Sequence, residues 1–548
     1  MSERDAGINF SFRRNDTVGA ADAESDDMYL SECFVETGDL AVLRDTSNSK
    51  RIIVGRTGAG KSALIRKMKE VEEHVIEVPP QNLSLSYIAN SDIINFFESA
   101  GVSLDLFYQL LWKHVLTVEL LKYKFKIHNE SQKQNFLASL VTVFKRDRSK
   151  EQAVDYLREW GEKFWNETEY RVKELTTKVE TDLKAAIGGD FAGIKLDGSA
   201  GRKLTEEEKK EVVHIGKKVV SQIQIKALSD VTKMLSEDIF NDPQQKYFIT
   251  IDGLDEHWVE ESLRYKLIRS LIETIRSFLK LTHVKIIVAL RVDLLNRVIS
   301  ATRDAGFQEE KYESLYLKLR WSKSQLEELL DRRIEKLVRQ RYTTRPVKLK
   351  ELFPRLMGKI TFLDYLVERT FLRPRDAILF VNLCLDQAEN RNSVTVQMVS
   401  TAEGEYSGKR MISLQEEWGS TYPFLSQYTK LLQGKPYTFK YGAISKEAFE
   451  EYFYACFSHN LDSNDAAIQA GCDFILNGKG TLHAALTVVF QIFYEVGLVG
   501  IKPDSTSGTY WSYYNNDAPS LGSIKPSSLA HIHPTFWRTL GTLTGTSR

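Results

Sequence analysis

The chain has 548 residues, with 74 Lys and Arg against 74 Asp and Glu, so its formal net charge is zero. That balance excludes a wholly basic nucleic-acid coat and a strongly acidic disordered chain, although not a local basic patch. Hydrophobic residues make up 42% and charged residues 27%, the profile of a globular protein with several cores, and this length suggests roughly three to four domains.

Residues 1 to about 35 are polar and Asp-rich and read as a lead-in arm; they contain no apolar stretch of the kind a signal peptide needs. No run of about 18 apolar residues occurs, so no membrane span is expected and the default location is the cytoplasm. Cys33, Cys384, Cys456 and Cys472 form no CxxC pair and read as small buried residues.

From about 36 to 320 the pattern predicts an α/β core with a parallel sheet, because short apolar runs alternate with helical stretches. The runs are at 51–54, 74–78, 247–251, 284–290 and about 315–319. A helix between the third and fourth carries Leu263, Leu267, Leu271 and Ile275 at helical spacing. Between about 92 and 242 the pattern turns almost wholly helical, a large insertion. It is interrupted by a glycine-rich hairpin at 188–201 and followed by a long helix from Thr205 to Phe240. A helical lid is expected over 321–422 and a mixed domain over 423–548.

Gly55-Arg56-Thr57-Gly58-Ala59-Gly60-Lys61-Ser62 matches GxxxxGK[ST], between an expected strand and an expected helix that begins with Ser62 and Ala63. Glycines let backbone N–H groups turn toward phosphate oxygens, and the helix N-terminus adds partial positive charge. Lys61 is the candidate to neutralise the β- and γ-phosphates of ATP, and Ser62 to ligate Mg²⁺. The run YFITI ends in Asp252, a second candidate Mg²⁺ ligand at the edge where open α/β sheets bind ligands. Asp255 and Glu256 are alternative candidates to polarise the attacking water. No [NT]KxD loop follows a late strand, which favours adenine over guanine.

The fourth strand ends in Arg291, a candidate γ-phosphate sensor or a salt-bridge partner of Asp293. Arg373 and Arg375, at the start of a lid helix, are candidates to reach the nucleotide or, alternatively, solvated flanks of Asp376. Arg264, Arg297 and Arg303 are equivalent candidates for an arginine acting across a subunit interface.

GRTGAGKSAL, IDGLDE and ALRVDLL resemble the additional-strand P-loop ATPases, the group that includes AAA+ and STAND proteins. Gly253 stands where AAA+ members carry a Glu directly after the Asp, which permits slow hydrolysis. GAADAESD, HWVEESLRYKLIRSLI, GFQEEKYESLYLKLRW and RPRDAILFVN resemble a bacterial P-loop ATPase family often found at phage-defence loci. The resemblance implies sheet order 5-1-4-3-2, a helical lid and a homo-oligomeric ATP switch that controls assembly or an effector protein encoded nearby. A nucleic-acid-dependent motor and a non-hydrolysing scaffold are the alternatives.

In the tail, HAALTVVFQIFYEV, then 497–502, then 510–514, suggests a winged helix, which the resemblance supports. The helix lacks Arg and Lys, so phosphate contact is not favoured. His531 and His533 have no third ligand nearby, and Tyr510, Trp511, Tyr513 and Tyr514 read as packing residues.

Overall fold

A computed structural model describes residues 11–80, 104–126, 235–302, 309–341, 346–513 and 523–543, with single positions between 181 and 233. Most of the expected insertion lies outside these residues, including the 188–201 hairpin and most of the 205–240 helix, and so do Arg303 and Tyr514. Contacts divide the chain into a unit of residues 36–319 and a unit that joins residues 1–35 with 320–548.

The first unit holds β1 (Ile52–Gly55), β2 (Val75–Glu77), β3 (Tyr247–Ile251), β4 (Val284–Arg291) and β5 (Tyr316–Lys318). Their order is β2-β3-β4-β1-β5, and every neighbouring pair is parallel. β1 and β3 are buried throughout, and β4 is buried as far as Leu290. Parallel strands covered on both faces read as unbroken apolar runs, which is why the sequence exposes them. Lys285 breaks the β4 run: it is fully buried, and its ammonium donates to the carbonyls of Val42 and Asp45, both at 2.8 Å. It thereby caps the C-terminal end of α1 (Asp39–Arg44).

β1 runs into α2 (Lys61–Val71). α3 (Asp105–Phe125) packs on α4 (Glu261–Ser277), where the Trp112 indole donates to Leu267 O at 2.8 Å. α4 buries Leu263, Leu267, Leu271 and Ile275. α5 (Val292–Ala301) follows β4 directly.

The second unit contains α6 (Lys323–Arg341), α7 (Phe362–Arg369), α8 (Pro374–Asp386) and α9 (Val396–Trp418). Thr361 and Thr395 cap α7 and α9, and Pro374 occupies the first turn of α8, where its missing N–H costs nothing. The polar N-terminal segment is not a free arm. Phe12, Val18 and Val35 share one core with Leu326, Ile334 and Phe380. The Asn382 amide pairs with Val18 N and Gly19 O, each at 2.9 Å, and Arg333 forms a buried ion pair with Asp26.

A second core of this unit is built on α10 (Lys446–Phe457), α11 (Ala466–Ile475), α12 (Leu482–Glu495) and a small antiparallel sheet. That sheet contains β6 (Thr438–Lys440), β7 (Val499–Lys502) and β8 (Leu529–Ile532), in the order β6-β8-β7. The expected strand at 510–514 is not formed over its described part. Tyr510 makes one bridge to Ile501, and the chain then turns so that Trp511 packs over Gly500, with Trp511 and Tyr513 edge-on to His533. α12 buries eight of its side chains, including Phe490 and Phe493.

Candidate nucleotide site

The loop after β1 is built from glycine geometry. Gly58 and Gly60 have φ of +76° and +96°, left-handed values that side chains with a Cβ resist. A Cβ on Gly55 would lie 3.2 Å from Ala59 Cβ, so the loop closes tightly. Ala59 N donates to Arg56 O at 3.1 Å, which curls the turn on itself. Gly60 is the N-cap of α2 and supplies no side-chain cap. The first N–H groups of that helix are thus available to an anion.

Lys61 lies across this loop, with Nζ 3.3 Å from Gly55 O and 3.2 Å from Arg56 O. Burial lowers its pKa, while the charges of Asp255 and Asp252 oppose that shift. Asp252, half-buried just past β3, accepts from Gly253 N at 2.9 Å and from the Ser62 hydroxyl. Burial pushes its carboxyl up, and the Ser62 bond pulls it down. A hydroxyl and a carboxylate within one hydrogen bond of each other are the hard oxygen donors that suit Mg²⁺. The glycine cradle, ammonium and donor pair fit a magnesium-bound triphosphate.

Gly253 has φ of +78°, so the position after Asp252 favours glycine and would strain a Glu. The turn brings Asp255 Oδ2 within 3.5 Å of Arg291 Nη1. Arg291 also grips Asp293 through Nε at 3.1 Å and Nη2 at 2.8 Å, so the salt bridge offered as the alternative to a sensor role is formed. Glu256 is on the same turn and exposed.

The structure therefore gathers 55–62, Asp252, Asp255 and Arg291 at the carboxyl ends of β1, β3 and β4, with Ala63 in the first turn of α2. Arg373 and Arg375 belong to the second unit. Arg373 is buried rather than solvated: it lies 3.4 Å from Asp376 and over the Phe371 ring, and Arg410 pairs with the same Asp376 at 3.0 Å. Arg375 donates to Ala21 O at 3.4 Å. His531 pairs with the Thr438 hydroxyl at 2.9 Å, and His533 with the Tyr513 hydroxyl at 3.0 Å. Among the described residues no group of three or more His, Cys, Asp or Glu is arranged to hold a metal, and no helix is long and apolar enough to cross a membrane.

The sequence offered Arg264 and Arg297 as interface arginines and Asp293 as a partner of Arg291, but it did not disclose Glu261 or the gathering of these residues around the acidic turn. The signals on offer were the pairing of Arg291 with Asp293 and the i, i+4 spacing of Asp293 and Arg297.

Residues 324–415, covering most of α6 to α9, match the model of the FunZ-associated C-terminal helical domain. The chain is 22% identical over 549 aligned positions to a putative transposon gamma-delta 80.3 kDa protein of Escherichia coli strain K12, covering 96% of this chain and 67% of that one. Two solved structures align at 12% identity and a TM-score of 0.35. They are the ORC2 protein of Aeropyrum pernix in ADPNP–ADP complexes (92% of this chain, 91% of that one) and a Walker-type ATPase of Pyrococcus abyssi (95% and 97%).

Proposed function

We propose that the chain binds ATP in the 55–62 cradle and hydrolyses it slowly. The observation that carries this reading is the loop itself: two left-handed glycines open an uncapped helix at the carboxyl edge of a parallel sheet, with a half-buried ammonium across it. The amides and Lys61 bind the phosphates and offset their charge. Ser62 and Asp252 would hold Mg²⁺, which when bound supplies further neutralisation of the β- and γ-phosphates. Asp255 is the better placed candidate to orient the attacking water, since it lies beside Arg291 and feels the charge of Lys61.

The finer reading is a homo-oligomeric switch that controls assembly or a partner effector in bacterial anti-phage defence. It rests on the family resemblance in the sequence. Zero net charge and the burial of α12 favour protein partners over nucleic acid. The winged-helix reading of the tail is retained as a protein-contact module. A nucleotide-binding scaffold without turnover is the second reading, favoured by Gly253, whose left-handed backbone stands where AAA+ members carry a Glu.

Phosphate release, measured with and without DNA, together with light scattering, tests these readings. Slow turnover that ignores DNA and ATP-driven assembly that is lost in Lys61→Ala are expected. DNA-stimulated turnover would favour a motor, and bound ATP without turnover a scaffold.

A further inference from the structure

Arg264 sits in the first turn of α4, and its side chain is buried. It donates to the carbonyls of Asp255 at 3.3 Å and Glu256 at 2.9 Å. Around it charges of alternating sign run from Asp255 to Arg264, and the bond from Arg264 to the Asp255 carbonyl closes the ring. Asp255 meets Arg291 at 3.5 Å, and Asp293 meets both Arg291 at 2.8 Å and Arg297 at 3.1 Å. Glu261 then lies 3.6 Å from Arg297 and 3.8 Å from Arg264. The Tyr265 hydroxyl donates to Glu261 as well. Burying a guanidinium costs several kcal/mol unless it is well bonded, and this one directs two bonds to a single turn.

We infer that Arg264 is a positioning residue that holds the 253–258 turn so that Asp255 stays beside Arg291, with Glu261 of α4 and Arg297 of α5 carrying the same restraint. The inference rests on the ATPase reading, and it assigns Arg264 and Arg297 to contacts within their own chain. Both bonds leave Nη1 while Nη2 faces Glu261, and the single nitrogen of a lysine would not span the turn and Glu261 together.

The test uses the full-length chain as Arg264→Leu, Arg264→Lys and Arg297→Gln. ATP affinity comes from calorimetry, kcat and KM from phosphate release, and order in the turn from hydrogen exchange over 253–258. Arg264→Leu should keep nucleotide affinity, lose roughly 100-fold in kcat and exchange faster at the Glu256 amide. Arg264→Lys should recover part of kcat, and Arg297→Gln should show a smaller loss. A folded Arg264→Leu with unchanged kcat, or with a raised KM alone, would overturn the inference. If Arg264→Leu does not fold, full kcat in Arg297→Gln overturns it. If the wild type binds ATP without turnover, the ATPase reading fails and hydrogen exchange still decides: an unaltered 253–258 turn in the variants rejects the positioning role.

Discussion

Burial opposes both charges that the cradle would use. The Lys61 ammonium is depressed and the Asp252 carboxyl is raised. For Asp252 the folded value lies above the unfolded one, so the unfolded chain ionises first as pH rises. Stability then falls across that interval, and the penalty is complete once pH exceeds the folded value. Asp252→Asn should therefore raise the melting temperature near neutral pH while removing Mg²⁺-dependent turnover; a lower melting temperature would contradict this. Removing a charged phosphate partner costs about 1.5–3 kcal/mol, so Lys61→Ala should weaken ATP binding roughly 10–100-fold. The loop and Asp252 were legible because their chemistry lies in consecutive residues. The ring around Arg264 was not, because its members come from a turn, a strand end and two helices that only the fold brings together.

At the scale of elements, the five-stranded sheet was readable from its apolar runs. The buried cation within β4 was not explained by that pattern. Lys285 is held down to about 7 by burial, with Arg51 nearby adding to the depression. Between about 7 and its ordinary value the unfolded chain binds a proton that the folded chain lacks, so stability should rise with pH across that window. Denaturant titrations at several pH values should show this slope in the wild type and a shallower one in Lys285→Met. Equal slopes would remove Lys285 as the cause. In the tail, the run at 510–514 misled because aromatic residues suit strands and turn packing alike. Here Gly500 leaves the space that Trp511 fills.

Across the whole molecule, the chain's order along the sequence conceals its division in space. The first 35 residues read as an arm because their apolar positions are sparse, and Arg333 meets Asp26 across 307 positions. Gly19 is central to that junction: its φ is +101°, and a Cβ there would collide with Arg333, Asp26 and Tyr29. The left-handed backbone alone costs about 1–2 kcal/mol for an L-residue, so Gly19→Ala should lower the melting temperature of the 320–548 unit by more than that strain implies. An unchanged melt would detach the segment from that core. Every functional statement returns to whether the 55–62 loop takes a triphosphate, and titration calorimetry of the full-length protein with ATP and Mg²⁺ decides it most directly. Saturable heat in the wild type that is strongly weakened in Lys61→Ala is the expected result; no heat in folded wild type, or equal heat in both, would contradict it.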